Sequence, residues 1–368
     1  MKDDLDLKDF ILKSVKNFTF KDFDYGKKWF QKLQKRNWDN VEWIYNNIKF
    51  FREKEFILAD SYPHSHFSNL FRFQYITLFF KKPLHTIMRY LYERMPINIH
   101  FRKMLKNNLN LALSEGARDI IEKFPVSDQP GSPFYFTYKN LDVNSRSLFH
   151  YNNLNRIRKF LDKKIIKNEI EIVLDLGGAY GLFNALFKTI YPQTTQIIID
   201  FPQQLILAYY FFKTRFPNAK ILDFRNFDKC DFSRKELAKY DFILIPPKDS
   251  HLLKKNSIDL TCNFISLGEM PKKYFKGYLN SDFYKTSKYY CLCNRYDSSP
   301  PFGATYGNDI TILDYGITKK DIIHFGTYPD SHHYYLLKTF GIFAKKAFLS
   351  SDLFFTLLKN PNSVNIDQ

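Results

Sequence analysis

The chain has 368 residues, of which 45% are hydrophobic and 25% are charged. This balance excludes wholesale disorder, and the length exceeds what one hydrophobic core normally supports, so two subdomains are expected. The formal net charge of +17 favours encounters with anions, but the lysine doublets are scattered, as on an ordinary solvated surface. No signal-peptide hydrophobic region and no apolar run of about 18 residues occurs, so a cytoplasmic protein is expected, with peripheral association with an anionic membrane left open.

Residues 1–130 are predicted to form a helical region, because apolar residues recur in it at helical spacing. The segments that show this spacing are 9–16, 29–33 and 86–95. A polar stretch with proline and glycine at 127–133 predicts a linker or turn. A Rossmann-like α/β domain is then expected over residues 131–350, and a C-terminal helix and tail over residues 351–368.

Strand-like apolar runs alternate with helix-like runs through the middle of the chain. The strand-like runs are 172–176, 196–200, 219–223, 241–245, 259–265 and 289–293. Such alternation predicts parallel strands joined by right-handed crossovers. Beyond residue 300 turn residues are frequent until Leu349–Leu358, which is predicted to be a last helix.

The first of these runs ends in Asp175 and breaks at once into a glycine-rich turn, Gly177-Gly178-Ala179-Tyr180-Gly181. A buried strand that feeds a tight turn and a helix is how α/β proteins hold a nucleotide-like cofactor. Dinucleotide-binding turns follow the pattern G-x-G-x-x-G, and here Ala179 and Leu182 stand where its second and third glycines would be. The turn therefore fits a dinucleotide poorly, and a sugar-modifying oxidoreductase that uses NAD is kept only as an alternative function.

Two further acids follow strand-like runs. Asp200 comes about 20 residues after the glycines, where an acid can bind both ribose hydroxyls, and Phe201 adjoins it. Capping of the helix that begins near Pro202 is the alternative role for Asp200. Asp223, after the third run, is expected either to bind the adenine amino group or to be an ordinary loop acid.

The turn fits the pattern D-x-G-x-A-x-G, which resembles motif I of class I S-adenosylmethionine-dependent methyltransferases. Farther on, Asp259-Leu-Thr-Cys-Asn-Phe-Ile-Ser-Leu-Gly-Glu-Met270 resembles the D-L-x-x-N-x-x-S-x-x-E-M signature of the sugar O-methyltransferase family. Arg146-Ser-Leu-Phe-His-Tyr151 and Asn294-Arg295 agree with that family in order and spacing. The resemblance covers roughly residues 130–300, and Ala179 departs from it, since the family more often has glycine there.

The resemblance implies S-adenosylmethionine as the cofactor and a sugar hydroxyl, on a glycan or on a nucleotide- or lipid-linked sugar, as the methyl acceptor. The expected cofactor-binding residues are Asp175, Gly177, Gly178, Tyr180, Gly181, Asp200, Phe201 and Asp223. The expected substrate-binding residues are Asn263, Ser266 and Arg295. Methylation of another small metabolite and a non-catalytic glycan-binding protein are the alternatives left open.

A sugar hydroxyl is a weak nucleophile near neutral pH, so a general base is expected at the carboxyl edge of the sheet. Glu269 follows the fourth strand of the resemblance, and capping of the next helix is its alternative role. His150 has the better unperturbed pKa for a base, with a buried structural histidine as its alternative. Tyr180 is expected to pack over the cofactor.

Nucleic acid and metal ions are not expected as ligands. Methyltransferases that act on base amino groups carry [DNS]-P-P-[YFW] at the fourth strand, whereas this chain has Ile245-Pro-Pro-Lys248. That sequence lacks both a polar acceptor for the amino group and an aromatic ring to stack on the base. The pairs His64/His66 and His332/His333, and the cysteines at 291 and 293, lack further ligands nearby in the sequence.

Overall fold

A computed structural model describes the chain over residues 4–17, 40–52, 96–133, 135–161, 163–297, 310–328, 334–339, 343–348 and 353–361. The predicted helical segments at 29–33 and 86–95 and the histidine pairs His64/His66 and His332/His333 lie outside these residues. The chain divides into two compact units, the sheet unit (residues 1–41 and 156–368) and the helical unit (residues 42–155). None of the described helices is both long and apolar enough to cross a membrane.

The α-helices of the described residues, in chain order, are α1 (Leu5–Asn17), α2 (Val41–Asn47), α3 (Pro96–Ser114), α4 (Arg118–Lys123), α5 (Ser145–Phe160), α6 (Lys163–Glu169), α7 (Leu182–Ile190), α8 (Pro202–Arg215), α9 (Arg234–Leu237), α10 (Lys272–Asn280) and α11 (Asp282–Lys285). Short 3-10 helices span Ile48–Phe50, Val126–Asp128, Phe224–Lys229, Pro247–Leu252, Leu267–Glu269, Ile312–Tyr315 and Ile317–Lys319. Up to residue 128, the described residues form helices and no strand, as the sequence predicts.

The strands, in chain order, are β1 (Phe136–Tyr138), β2 (Leu141–Val143), β3 (Ile172–Leu176), β4 (Thr195–Ile199), β5 (Ile221–Asp223), β6 (Phe242–Ile245), β7 (Leu260–Phe264), β8 (Tyr289–Arg295), β9 (Asp321–Thr327), β10 (Tyr334–Thr339), β11 (Phe343–Phe348) and β12 (Leu353–Lys359). Strands β1 and β2 form an antiparallel pair in the helical unit, and β10 and β11 form another in the sheet unit. The remaining eight strands form one sheet in the order β5-β6-β4-β3-β7-β8-β12-β9.

The expected α/β architecture is confirmed by this sheet. Neighbouring strands from β5 to β8 pair in parallel, and helices connect several of them. Every residue of β3 and β4 is buried, as parallel strands covered on both faces require. The chain goes from β3 to β4 on one side of β3 and later returns to β7 on its other side. The strand order therefore reverses at β3, and open α/β sheets bind their ligands beside the carboxyl ends of strands at such a point.

The predicted C-terminal helix is wrong. Residues Leu353–Lys359 form strand β12, which pairs antiparallel with β8 on one side and β9 on the other. Residues 353–358 are all buried. A strand that is buried on both faces is a continuous apolar run without the alternation of a half-exposed strand. Periodicity alone therefore does not distinguish it from a buried helix segment.

The first helix also lies elsewhere than in a separate N-terminal region. Helix α1 belongs to the sheet unit, where Phe10 is fully buried and its ring stacks on that of Tyr209 in α8 at 4.2 Å between centroids. The boundaries of the two units, at residues 41/42 and 155/156, therefore differ from the expected domain boundary between residues 130 and 131. Amphipathic spacing predicted the helix itself, but it does not specify which surface the apolar face covers.

Candidate cofactor-binding site

The glycine-rich turn joins the carboxyl end of β3 to the start of α7. Gly177, Ala179 and Gly181 have positive φ angles of 73°, 50° and 81°. The N–H of Gly177 donates to the carbonyl of Ile199 at the end of β4 (2.8 Å), which ties the turn to the neighbouring strand. The left-handed conformation is free of Cβ strain for the two glycines and costs about 1–2 kcal/mol at Ala179.

The glycines leave space that other side chains of the protein fill. A Cβ atom on Gly177 would lie 2.1 Å from Ser266 Oγ, and one on Gly181 would lie 2.3 Å from the ring of Phe212. At Gly178 it would lie 3.0 Å from Asp175 Oδ2. From the sequence, these glycines are expected to let a cofactor approach the backbone. In the structure, the space beside each of them is occupied by a side chain of the protein itself.

Asp200 supports the turn from the end of β4. Its Oδ2 accepts a hydrogen bond from the Ala179 N–H (2.7 Å), and its Oδ1 accepts one from the Phe201 N–H (2.6 Å). Phe201, not Asp200, is the N-cap residue of α8. The predicted role of Asp200 in capping α8 through its own position is therefore not what the structure shows, and its predicted contact with ribose hydroxyls stays a prediction.

Tyr278 of α10 lies near Asp200, and the sequence did not point to it. Burial raises the pKa of its phenol, and the carboxylate of Asp200 raises it further. Tyr278 thus feels the charge of Asp200, although its helix α10 follows β7 and Asp200 follows β4 in the chain. No local signal in the sequence of α10 distinguishes this tyrosine from its neighbours.

Asp223 is occupied by an arginine. The Nε of Arg225 donates to Asp223 Oδ1 (2.9 Å) and its Nη2 donates to Oδ2 (2.7 Å). Strand β5 lies at the outer edge of the sheet, and β6 separates it from β4. Both facts favour the structural alternative for Asp223 over a role in binding adenine.

The strand that actually neighbours β4 is β6, and it is followed by Asp249. Ile245 at the end of β6 pairs with Ile199, so the residues after the two strands lie side by side. Burial raises the pKa of the Asp249 carboxyl, against the opposing effects of Lys248 and His251. The sequence did not point to Asp249, because it does not show that β6 rather than β5 adjoins β4.

Asn263 and Ser266 hold the end of β3. Ser266 Oγ donates to the carbonyl oxygen of Leu176 (2.8 Å), and Asn263 Nδ2 donates to the same oxygen (2.5 Å) and to Ser266 Oγ (2.5 Å). The N–H of Leu267 donates to Asn263 Oδ1 (3.2 Å). These polar atoms thus serve the protein itself, and the predicted contact of the two residues with substrate stays a prediction.

The structure brings Glu269 and Arg295 together. Arg295 Nη1 donates to Glu269 Oε1 at 2.8 Å, and the two side chains are 22% and 30% exposed, respectively. Glu269 follows β7 and Arg295 ends β8, so the ion pair lies at the carboxyl edge of the sheet. A carboxylate that accepts a proton and a guanidinium that binds an anionic group are thereby adjacent.

His150 lies on α5 in the helical unit, whereas the other predicted site residues lie in the sheet unit. It is only 7% exposed, and burial lowers its pKa well below 6.5, with Arg146 lowering it further. The sequence argument relied on an unperturbed pKa near neutrality. A buried imidazole of this kind is a weak base at neutral pH, which favours the structural alternative.

Asp175 and Tyr180 point into the protein. Asp175 is 1% exposed within β3 and pairs in register with Cys262, whose pKa is raised by burial, by Cys291 and by Asp175. Tyr180 is fully buried, and its ring meets that of Phe211 in α8 edge to face at 5.4 Å. The ring of Tyr180 thus packs inside the sheet unit, contrary to the expectation that it covers a cofactor.

The four cysteines are buried and unbridged. In the part of the chain that the structure describes, no three histidine, cysteine, aspartate or glutamate side chains are grouped so that they could hold a metal ion.

No protein-family model and no curated protein sequence matches the chain. Among solved structures, an O-methyltransferase family protein from Burkholderia thailandensis is 11% identical, with coverage of 70% of this chain and 71% of that one and a TM-score of 0.32. An O-methyltransferase family 2 protein from Planctomyces limnophilus DSM 3776, in complex with apigenin, is 12% identical, with coverage of 59% and 58% and a TM-score of 0.32. The mitomycin 7-O-methyltransferase MmcR is 9% identical, with coverage of 59% and 57% and a TM-score of 0.30. Likeness at this level carries no argument about function, which rests on the site itself.

Proposed function

We propose that the chain is an S-adenosylmethionine-dependent methyltransferase that methylates a hydroxyl group of a sugar. The observation that carries this proposal is the glycine-rich turn at the reversal of strand order, with Asp200 bound to the Ala179 N–H. A turn and an acid in this arrangement support a ligand with a nucleoside part. The spacing D-x-G-x-A-x-G, with Ala179 and Leu182 in place of glycines, favours S-adenosylmethionine over a dinucleotide.

The residues at the turn fit such a ligand. The N–H of Gly178 has no acceptor among the described residues and is available to a carboxylate or another acceptor group. Asp200, which follows β4 and supports the turn, is the acid that we assign to the ribose hydroxyls. Asp249 after β6 is the acid that we assign to the adenine amino group, and Tyr278 is a ring whose phenol is influenced by the charge of Asp200.

The acceptor side is assigned to Glu269 and Arg295. When bound, the cofactor would supply an activated sulfonium methyl group, so the protein has to orient the acceptor and remove its proton. Glu269 is the proposed proton acceptor for the sugar hydroxyl, a contribution of about 10²–10⁴-fold to rate for a positioned general base. Arg295 and the net charge of +17 favour an acceptor with an anionic group, such as a nucleotide- or lipid-linked sugar.

Calorimetric titration of the full chain with S-adenosylhomocysteine tests the cofactor. We expect binding by the wild type and its loss in Asp200→Ala. Asp282→Ala is the control, because the side chain of Asp282 is 61% exposed and its ion pair with Lys255 is long, at 3.8 Å. A thermal-shift comparison with NAD distinguishes the oxidoreductase alternative. Stabilisation by NAD and not by S-adenosylhomocysteine would overturn the proposal.

The acceptor is tested by incubation with methyl-labelled S-adenosylmethionine and separated cell fractions. Label in the glycan or sugar-nucleotide fraction is the expected result. Label confined to other small metabolites would keep the methyltransferase and reject the sugar. Cofactor binding without transfer to any fraction would favour the non-catalytic alternative.

A further inference from the structure

We infer that Ser266 and Asn263 are positioning residues that couple ligand binding at the glycine-rich turn to the 265–269 loop, which carries Glu269. The inference rests on the proposed function, since it gives the turn a cofactor to bind. Ser266 and Asn263 lie between the glycine-rich turn, which is proposed to bind the cofactor, and the Glu269–Arg295 pair, which is proposed to bind the acceptor.

The two side chains converge on the last residue before the turn. The carbonyl oxygen of Leu176 accepts hydrogen bonds from Ser266 Oγ (2.8 Å) and from Asn263 Nδ2 (2.5 Å). Asn263 also donates to Ser266 Oγ, so the three groups form a closed triangle. Asn263 is fully buried and Ser266 is partly buried, and the triangle joins the end of β3 to the end of β7.

Steric contact joins the turn and the loop in addition to the hydrogen bonds. The side chain of Ser266 fills the space beside Gly177 so closely that a Cβ atom there would lie 2.1 Å from Oγ and 2.5 Å from the serine Cβ. A shift of the turn at Gly177 would therefore displace Ser266, and a shift of Ser266 would open a gap beside the turn.

On the loop side, the backbone is strained and fixed from several directions. Ile265 has a φ of 57°, which is a rare conformation for a β-branched residue. Its N–H donates to the carbonyl of Cys293 (2.8 Å), and the N–H of Glu269 donates to the carbonyl of Ser266 (3.0 Å). Strain of this kind persists only where the surroundings determine it, and it clusters at functional sites.

A ligand that restricts the turn restricts Ser266, which in turn restricts the loop and the position of Glu269 opposite Arg295. Coupling between two binding regions is reciprocal, so an acceptor that fixes the loop would also strengthen cofactor binding. The triangle thus prepares the proposed base when the methyl donor is present.

Hydrogen–deuterium exchange with S-adenosylhomocysteine as the probe tests the coupling without a known acceptor. In the wild type, we expect the probe to slow exchange at the turn amides and also at residues 265–270. Ser266→Ala should weaken the affinity for the probe by about 3- to 10-fold, the effect of losing one or two hydrogen bonds. It should also confine the slowing to the turn. Ser287→Ala is the control, because it also removes a serine hydroxyl with two hydrogen-bond partners, Thr261 (2.7 Å) and Phe283 (2.9 Å), but at the amino end of β8.

The outcomes separate the inference from the proposed function. If Ser266 only stabilised the fold, the loop of free Ser266→Ala would exchange faster but would still slow by the wild-type factor when the probe is added, which overturns the inference. Probe binding that leaves residues 265–270 unaffected in the wild type overturns the inference alone. Absence of probe binding to the wild type overturns the proposed function and the inference with it.

Discussion

The guanidinium group of Arg225 binds both carboxylate oxygens of Asp223, at 2.9 and 2.7 Å. The same guanidinium reaches Asp6 (2.8 Å) and Asp9 (3.0 Å) on α1. An acid that the sequence suggested for adenine binding is thus the anchor of an arginine that holds the first helix on the sheet unit. The acid proposed for adenine binding is instead Asp249, which follows β6.

Asp223→Asn and Asp249→Asn should separate these two roles. Asp223→Asn leaves the buried Arg225 with a weaker partner, so we expect a loss of about 3 kcal/mol in the free energy of unfolding and little change in affinity for S-adenosylhomocysteine. Asp249→Asn should weaken that affinity by about 10-fold and leave stability within about 0.5 kcal/mol. Denaturant titration and calorimetry on both variants measure the two effects. The reverse pattern would return adenine binding to Asp223.

The attachment of α1 should depend on pH through Asp6. Burial raises the pKa of Asp6, but hydrogen bonds from Lys213, Tyr209 and Arg225 outweigh it and lower the pKa from 3.8 to about 2. Because the folded pKa is the lower one, the stabilisation is complete above pH 3.8 and is lost as the pH falls through about 2. Asp6→Asn should remove this part of the acid dependence.

The size of this effect is limited by solvent. The side chain of Asp6 is 49% exposed, so screening reduces its contribution to about 1 kcal/mol or less. Urea titrations of the wild type and Asp6→Asn at pH 6 should differ, and the difference should shrink toward pH 2. Asp282→Asn, at an exposed position, is the control. A difference that stays constant from pH 6 to pH 2 would contradict the assignment.

A methyl group at residue 177 should disrupt the turn. Gly177→Ala places a Cβ atom 2.1 Å from Ser266 Oγ at a φ of 73°, so both the contact and the backbone are unfavourable. We expect loss of S-adenosylhomocysteine binding and a lower melting temperature. Gly277→Ala is the matched control, since nothing lies within 4 Å of its Cβ position in α10, and it should stabilise the protein by about 0.4–1 kcal/mol. Wild-type affinity in Gly177→Ala would refute the proposed turn geometry.

Local signals predicted β3 and the turn that leads into a helix, because each depends on neighbours in the chain. The sequence could not show that β6 and not β5 adjoins β4, since strand order depends on packing between distant segments. For the same reason it missed Asp249 and Tyr278 and misassigned the residues of β12. Apolar periodicity identifies an element, whereas its place in the sheet is decided by partners that the pattern does not name.

Asp259 illustrates the same limit within the signature that carried the family resemblance. Its Oδ2 accepts hydrogen bonds from the N–H groups of Glu171 and Ile172 (2.9 Å each), and its Oδ1 binds Arg234 (2.6 Å). Glu171 and Ile172 lie at the amino end of β3, and Asp259 directly precedes β7, so this cluster is at the edge of the sheet opposite to the proposed site. The first residue of the signature is therefore structural, while its last acid, Glu269, lies at the carboxyl edge.

Removing the partner of this buried acid should be costly. Asp259 is fully buried, so Arg234→Ala leaves its charge with Lys288 at 3.3 Å as the nearest remaining cation, and we expect a loss of about 2–3 kcal/mol in stability. Arg118→Ala removes an exposed pair with Glu122 and should cost about 0.5 kcal/mol or less. Denaturant titration of both variants provides the comparison. Equal losses would show that burial of Asp259 contributes little.

Glu269→Gln should separate the chemical step from cofactor binding. The amide keeps the size of the side chain and can still accept a hydrogen bond from Arg295, but it cannot take a proton from the acceptor hydroxyl. We expect methyl transfer to fall by about 10²–10⁴-fold, with affinity for S-adenosylhomocysteine changed by less than about twofold. Glu236→Gln, which alters a surface pair with Lys239, is the control. If Glu269→Gln retains full transfer while His150→Gln abolishes it, the base would have to be reassigned to His150 despite its burial.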